Sequence, residues 1–310
     1  MPDRMKNSFK TPILLIAFNR PGLTQRVFNE LRKVRPAKLY FAVDGPRQNV
    51  AFESGLCAKT RDIIKQIDWD CEVRTLFRDK NLGCKVAVSS GIDWFFKNEE
   101  RGIILEDDTL PHPAFFRFCE ELLEYYKNDD RIMTICGTNF QFGRKCTEYS
   151  YYFSRYTHTW GWASWRRAGN YYDVDMRLWP EIRDNGLLFN ILGSKKEASY
   201  WRNIFEQVYT GKKNTWDYRW LFACWLQNGL TVLPGVNLIS NIGFGDSGTH
   251  TKGKTIFADM ESKDLVFPLS HPPYLFRNVI ADRLDDKTLF SSASLHKKMI
   301  NKIYALLNDL

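Results

Sequence analysis

The stretch "GIILEDDTLPHPAFF", residues 102–116, decides how the rest of the chain is interpreted. It passes from a run of apolar β-formers directly into three acids, Glu106, Asp107 and Asp108, and then into two prolines and an aromatic helix pattern. Such an apolar run is typical of a strand that is covered on both faces of a sheet. Because adjacent carboxylates repel one another, this stretch predicts that something positive lies among them.

Strands and helices alternate on both sides of this stretch, which predicts βαβ units and a mostly parallel α/β sheet flanked by helices. Ligands of such sheets bind at the carboxyl ends of the strands, where the three acids stand. Five strands are predicted, at residues 11–18, 38–47, 71–79, 102–108 and 131–139. Four helices are predicted between them, at residues 23–34, 53–67, 81–100 and 112–129.

The pattern changes after residue 150, where a segment dense in aromatic residues begins. Residues 199–229 predict two helices joined by a Gly-Lys-Lys-Asn loop, and a short strand with a glycine-rich loop follows. The tail ends in a basic amphipathic pattern at residues 294–307, which predicts a helix that packs on the domain or lies on an acidic membrane surface. We therefore divide the chain at residues 150 and 270.

The composition limits the partners that the chain can take. Its 310 residues are 44% hydrophobic, as in an ordinary globular protein, but 15% are aromatic, which is high. The formal net charge of +8 favours anionic partners. The lysines and arginines are scattered and form no nucleic-acid motif, so we predict no nucleic-acid partner.

The seven cysteines are odd in number and none of them forms a CxxC pair, so neither a disulfide framework nor a zinc site is indicated. This usage predicts a reducing, cytoplasmic environment. The apolar run near the N-terminus is too short to span a membrane, and we interpret it as the first buried strand.

Known phosphate-binding motifs do not explain the chain. No GxGxxG follows the first strand, and Phe18, Asn19 and Arg20 stand where an aspartyl phosphatase would have its acids. Residues 248–255 match the P-loop spacing, but the sequence after them does not predict the helix that a P-loop requires. We therefore interpret that match as chance.

The acid triplet has two interpretations. Carboxylates at a strand end are hard oxygen ligands, which suit Mg²⁺ or Mn²⁺ that carries substrate phosphates. Such a metal offsets the charge of a diphosphate leaving group. The alternative is a solvated acidic turn, but the position directly after a buried strand favours the metal.

Six motifs occur in order: "FNRP", "VDGPR", "NLGCKVAVSSGIDWFF", "ILEDDTLPHPAFFRFCEELL", "WGWASW" and "TWDYRWLFACW". Together, over roughly residues 11 to 250, they resemble a metal-dependent glycosyltransferase of the GT-A fold. The nearest families are the N-acetylglucosaminyltransferase I type and bacterial haemolytic-protein-like relatives. The resemblance implies a GT-A-like α/β fold with a C-terminal acceptor-side region.

The resemblance also implies a nucleotide site at the strand ends. Phe18, Asn19 and Arg20 would contact the nucleotide, with Arg20 at its phosphate or base. Asp44 would accept from the uracil N3–H, and Lys85 would lie near the diphosphate. The alternatives are a turn arginine for Arg20 and an exposed helix lysine for Lys85.

The triplet and a distant aspartate would complete this site. The resemblance implies that Glu106 and Asp107 hold the ribose and that Asp108 ligates the metal. Asp217 in "TWDYRW" matches the catalytic base of the family, with Glu206 as the next candidate. The alternative role for Asp217 is a helix N-cap.

Residues of the aromatic segment are candidates for contacting sugars. Trp160, Trp162 and Trp165 could stack on a sugar ring or form part of the core. Gly161 would allow the tight turn that presents them. His250, in a glycine-bracketed loop, could close over the diphosphate, ligate the metal or be a plain loop residue.

These features together predict a metal-dependent inverting glycosyltransferase, using Mn²⁺ or Mg²⁺, that acts in bacterial glycan biosynthesis. It would move a hexosyl or N-acetylhexosaminyl group from a UDP-sugar to a hydroxyl of a glycan or glycolipid. Residues 1–150 would bind the nucleotide-sugar, residues 151–270 would hold the acceptor and the base, and residues 271–310 would form a C-terminal extension. The basic helix of that extension would allow peripheral contact with the inner face of the membrane.

Two other functions stay open. A sugar-nucleotide nucleotidyltransferase also builds its site on an α/β sheet, but it normally carries a glycine-rich basic loop after the first strand, of which "AFNRPGLTQR" is a poor version. A non-catalytic nucleotide-sugar-binding or toxin-like protein has no need for both a metal triplet and a distant aspartate. The released product, free UDP or pyrophosphate, separates the two enzymes.

Overall fold

The structure is a computed structural model that describes residues 9–244, 256–258 and 260–290. The strands are β1 (Ile13–Ala17), β2 (Lys38–Val43), β3 (Glu72–Phe77), β4 (Arg101–Glu106), β5 (Thr109–Pro111), β6 (Ile132–Cys136), β7 (Tyr151–Ser154), β8 (Trp162–Trp165), β9 (Leu230–Pro234) and β10 (Ile239–Asn241). The helices are α1 (Pro21–Val34), α2 (Glu53–Asp62), α3 (Gly83–Asn98), α4 (Pro113–Tyr125), α5 (Arg166–Gly169), α6 (Trp179–Asp184), α7 (Leu188–Leu192), α8 (Lys195–Tyr209), α9 (Asp217–Leu226) and α10 (Val279–Thr288).

Eight of these strands form one sheet in the order β3-β2-β1-β4-β8-β6-β9-β7. The first four are parallel, β8 runs antiparallel between β4 and β6, and β7 runs antiparallel to β9. Six of the eight strands therefore share one direction, and the predicted mainly parallel α/β sheet flanked by helices is confirmed. A second, two-stranded sheet pairs β5 with β10.

Helices cover both faces of the large sheet, which explains the unbroken apolar run of β1. Ile13, Leu15 and Ala17 pack on one face with α1 and α4, whereas Leu14 and Ile16 pack on the other face with α3 and the start of α9. Successive strand residues point to opposite faces, so a strand covered on both sides needs apolar residues throughout. A third apolar cluster joins α6, α7, α8 and α9.

The predicted first four strands and their helices are confirmed, as are the two helices on either side of the Gly-Lys-Lys-Asn loop. Strands β7 and β8 were not predicted. They join the same sheet as β1 to β4, so the boundary drawn at residue 150 runs through one sheet.

The P-loop match at residues 248–255, His250 and the tail helix predicted at 294–307 lie outside the described residues. Within the described part of the chain, no helix combines the length and the apolar character that crossing a membrane requires.

Candidate functional site

The carboxyl ends of β1 and β4 bring Arg20 against the acid triplet. The two strands are parallel neighbours, with Ile16 beside Glu106, so the segment that follows β1 lies next to Asp107 and Asp108. The Arg20 guanidinium forms an ion pair with Asp107 and a second one, at 3.0 Å, with Asp108. Arg20 is thus the positive group that the sequence required, and its guanidinium is bound to protein carboxylates rather than free for a nucleotide.

We call Glu106, Asp107 and Asp108 the strand-end acids, and their negative charge exceeds the charge of Arg20. Burial raises the pKa of Asp107 to about 6 even though Arg20 opposes the shift. Burial and the neighbouring acids raise the pKa of Glu106 well above its usual range. Among the described residues, no side chain or backbone group forms a hydrogen bond or ion pair with the Glu106 carboxylate, so this group lacks a partner for its charge.

Asp44, at the end of β2, is held by the protein. Its carboxylate accepts from the backbone N–H groups of Gly45, Leu82 and Gly83 and from the Asn81 amide, at 2.9–3.2 Å. The side chain is buried and joins the end of β2 to the start of α3. Asp44 therefore organises these two loops, and its role as an acceptor for the uracil N3–H stays a prediction.

Asn19 also has a protein partner. Its amide donates to Glu53 at 2.8 Å, and the same buried carboxylate accepts from the backbone and guanidinium of Arg47. The Phe18 backbone N–H donates to Asp107 at 3.4 Å, while the Phe18 ring lies partly exposed 5.8 Å from the Arg47 guanidinium. Of the predicted segment after β1, the Phe18 ring is the part that remains open to a ligand.

Asp217 is the first residue of α9, and the capping position belongs to Trp216, so the N-cap alternative is wrong. The Thr215 hydroxyl donates to its half-buried carboxylate. Trp216 stacks on Trp162, which pairs with Ile104 of β4, so the start of α9 lies beside the strand that carries Glu106. The charge of Asp217 adds to the raised pKa of Glu106.

Cys84 and Tyr172 belong to the same region and were not predicted. Burial raises the pKa of the Cys84 thiol to about 12, and the charges of Glu106, Asp217 and Asp108 add to that shift. The Tyr172 hydroxyl bonds with Ser89 of α3 and donates to the carbonyl of Trp216. These contacts join the middle of α3 to the start of α9, and no sequence motif marked them.

Two further candidates have partners outside the strand-end acids. Lys85, on the first turn of α3, has Asp175 as its ion-pair partner at 3.7 Å, so a role near a diphosphate stays a prediction. Glu206 accepts from the Trp179 indole and pairs with Arg183, both far along the helical region from the strand-end acids.

The tryptophan segment forms strand β8 and the turn before it. Trp162 is fully buried against Trp216 and Trp220, and Trp165 is also buried, so neither ring has a face open to a sugar. The core alternative is correct for both. Trp160 is partly exposed, and Gly161 has the positive φ of +62° that the predicted tight turn requires.

Asp108 is fixed against the segment after β10. Its carbonyl accepts from the Ile242 N–H at 2.8 Å, and a Cβ at Gly243 would lie 2.3 Å from its carboxylate oxygen. Glycine at this position therefore allows the carboxylate to approach the chain.

The strand-end acids suit a divalent cation by charge, because three carboxylates share one guanidinium and Glu106 has no described partner. Their oxygens are also suitable ligands for such a cation. Among the described residues, no three His, Cys, Asp or Glu side chains are grouped to hold a metal by themselves. Mg²⁺ is commonly held by one or two carboxylates together with substrate phosphates, and Asp108, the more exposed of the two aspartates, suits that mode.

Comparison with known proteins gives remote similarities. No family model and no curated protein matches the chain. HddC from Yersinia pseudotuberculosis is 10% identical with a TM-score of 0.28, over 42% of this chain and 58% of that protein. A UDP-glucose pyrophosphorylase solved with UDP-glucose is 12% identical, with a TM-score of 0.35 over 73% of this chain and 90% of its own. The inositol-1-phosphate CTP transferase from T. maritima is 9% identical, with a TM-score of 0.38 over 74% and 86%.

This chain spans little more than half the length of HddC. The names of the other two proteins describe a pyrophosphorylase and a CTP transferase. Similarities of this size assign no activity, so the resemblance to the N-acetylglucosaminyltransferase I type stays a prediction.

Proposed function

We propose that this chain is a nucleotide-dependent transferase and, within that class, a metal-dependent inverting glycosyltransferase that uses a UDP-sugar and a hydroxyl acceptor on a glycan or glycolipid. One observation supports this most: the strand-end acids have unmatched negative charge, and the Asp217 carboxylate, on a different element, is near enough to influence Glu106. An inverting transfer needs these two parts, one at the leaving diphosphate and one at the attacking hydroxyl.

In this proposal each group has one task. Asp217 accepts the proton of the acceptor hydroxyl as the general base. Asp108 holds the divalent cation, which when bound offsets the charge of the departing diphosphate. Arg20 holds Asp107 and Asp108 in place, since its positive charge lies between them.

The second candidate is nucleotidyl transfer, the chemistry in the names of the pyrophosphorylase and the CTP transferase. That reaction must bind a triphosphate, normally with a glycine-rich basic loop after the first strand. Here α1 begins at Pro21, soon after β1 ends, and the one arginine of the connection pairs with the strand-end acids. This geometry favours glycosyl transfer.

The test is to incubate the full chain with a panel of nucleotide sugars, or with nucleoside triphosphates together with sugar 1-phosphates, with and without Mn²⁺, and to measure free UDP and pyrophosphate. We expect metal-dependent release of UDP. The Asp217→Asn variant should lower this release by about 10²–10⁴-fold, because the amide cannot accept a proton, while its Tm and UDP affinity stay unchanged.

Asp184→Asn, at an exposed aspartate paired with Arg183, is the control and should keep full activity. Pyrophosphate as the product would replace the proposal with nucleotidyl transfer. Metal-dependent UDP binding without either product would indicate a binding protein, and unchanged UDP release by Asp217→Asn would assign the base to another residue.

A further inference from the structure

Helix α10 has its residue types reversed relative to an ordinary surface helix. Asp282 and Asp285 are each 1% exposed, whereas Val279 is 41% and Ile280 63% exposed. A surface helix normally turns its apolar residues inward and its charged residues toward water. The arrangement in α10 therefore requires two explanations, one for the buried acids and one for the exposed apolar residues.

The buried acids are explained by their partners. We call Asp282, Asp285 and Asp286 the α10 acids. Asp282 accepts from the Ser154 hydroxyl at 2.6 Å and pairs with Arg277 at 3.0 Å. Asp285 contacts the Gln141 amide at 3.0 Å and the His158 ring at 2.9 Å. Asp286 pairs with Arg155 and accepts from the Tyr156 hydroxyl.

These bonds fix the rotation of the helix. If α10 turned to bury Val279 and Ile280, the α10 acids would lose their partners, and a buried charge without a partner is costly. The fold therefore holds the apolar residues outward, and a contact outside the described chain is the remaining way to cover them.

The exposed apolar surface continues into the segment before the helix. Tyr274 and Phe276 are 40% and 63% exposed, and their rings stack with centroids 4.2 Å apart. Together with Val279 and Ile280 they form what we call the α10 patch. Four large exposed apolar side chains within seven positions make a continuous surface, and such surfaces mark binding sites.

Basic side chains lie on the same helix as the α10 patch and on one adjoining loop, where the exposed Glu148 is paired with Lys145. Arg283 and Lys287 are exposed and follow Val279 at intervals of four, so they lie on the same face of α10. The loop that adjoins the patch, through the bond from Asn278 to the Cys146 carbonyl, carries exposed Arg144. The acidic residues of α10 point inward, which leaves the outward face basic.

We propose that the α10 patch binds an anionic membrane surface. Aromatic and aliphatic side chains enter the interface between headgroups and acyl chains, and the surrounding cations contact anionic headgroups. The charge of the rim selects this partner over a second copy of the chain, because two copies would bring like charges together. This contact would bring the enzyme to a lipid-linked acceptor, but it does not depend on the proposed reaction.

The test is sedimentation of the full chain with vesicles of phosphatidylcholine alone or mixed with phosphatidylglycerol. We expect binding to the mixed vesicles and little to phosphatidylcholine alone. The double variant Phe276→Glu/Ile280→Glu should bind at least about tenfold more weakly, since both apolar contacts are lost. Phe52→Glu is the matched control, because Phe52 is 76% exposed at the start of α2 and away from the patch.

Arg283→Glu serves as a second variant that keeps the apolar residues. It should weaken binding to the mixed vesicles, with a difference that disappears at high salt. All variants keep residues 291–310, so double-variant binding equal to wild type would assign the contact to that tail and overturn the proposal. Absence of wild-type binding, or a wild-type dimer in solution that the double variant abolishes, would also overturn it.

Discussion

The molecule contains two groups of three acids, and they are satisfied to different degrees. Each of the α10 acids has a hydrogen bond or ion pair with the sheet or its loops. The strand-end acids share one guanidinium, and Glu106 has no described partner. Each group contains both buried and half-buried carboxylates, so burial alone does not distinguish them. The difference teaches that a shortage of partners, rather than the number of acids, marks the candidate site.

Paired and unpaired acids should affect the stability of the fold differently. A buried charge that is fully paired is part of the scaffold, and breaking its pair destabilises the fold. A buried charge that is left without a partner destabilises the fold while it remains, and is retained where a ligand supplies the partner. Substitutions in the two groups should therefore change stability in opposite directions.

The largest effect is expected at Arg155, which pairs with Asp286 and Glu197. Arg155→Ala leaves both carboxylates without their cation, and we expect it to lower the free energy of unfolding by about 3–5 kcal/mol. Urea denaturation measures this change. Arg177→Ala removes an exposed pair with Asp173 and should cost no more than about 1 kcal/mol. Equal stability of the two variants would remove the distinction between the groups.

A smaller effect of opposite sign is expected at Glu106. Glu106→Gln removes the charge that has no partner and should raise the free energy of unfolding by about 0.5–2 kcal/mol. The same variant should lose metal-dependent nucleotide binding, which calorimetry with UDP and Mn²⁺ measures. A variant that is less stable than wild type would show that the Glu106 carboxylate is satisfied in the protein.

The smallest effect concerns pH. Burial raises the pKa of Asp286 to about 6, compared with about 3.9 for an unfolded chain. The native state therefore binds this proton more tightly, and its contribution to stability is lost as pH rises from about 4 through 6. Asp286→Asn should show a weaker decline than wild type over this window in urea titrations at several pH values. Parallel pH profiles would assign the decline to other acids.

The apolar pattern of an element, which α10 reverses, decides whether the sequence could predict that element. Strands β1 and β4 were predicted because both faces are covered and their residues are uniformly apolar. Helix α10 was missed because its buried face is acidic, so a search for apolar residues at helical spacing fails. Strands β7 and β8 were missed because each has four residues, too few for a clear period.

The candidate site shows a similar limit. The strand-end acids and Asp217 were identified from their motifs, but the partners of Arg20 and Asp44 depend on loops that meet only in the folded chain. Cys84 and Glu53 carry no motif, and their roles follow from contacts with residues distant in sequence. The sequence therefore did not predict which side chains pair with one another at the strand ends.

The position of β8 in the sheet has a consequence for synthesis on the ribosome. Strand β4 ends at Glu106, but its neighbour β8 begins only at Trp162. Strand β6 likewise has no partner until β8 and β9 have been synthesised. A nascent chain that stops before residue 162 can pair β1 to β4 but leaves one edge of β4 without a hydrogen-bonding partner. Unpaired edges of this kind are where strands from two chains join. The interval between the two strands is thus the period in which a growing chain is most exposed to aggregation.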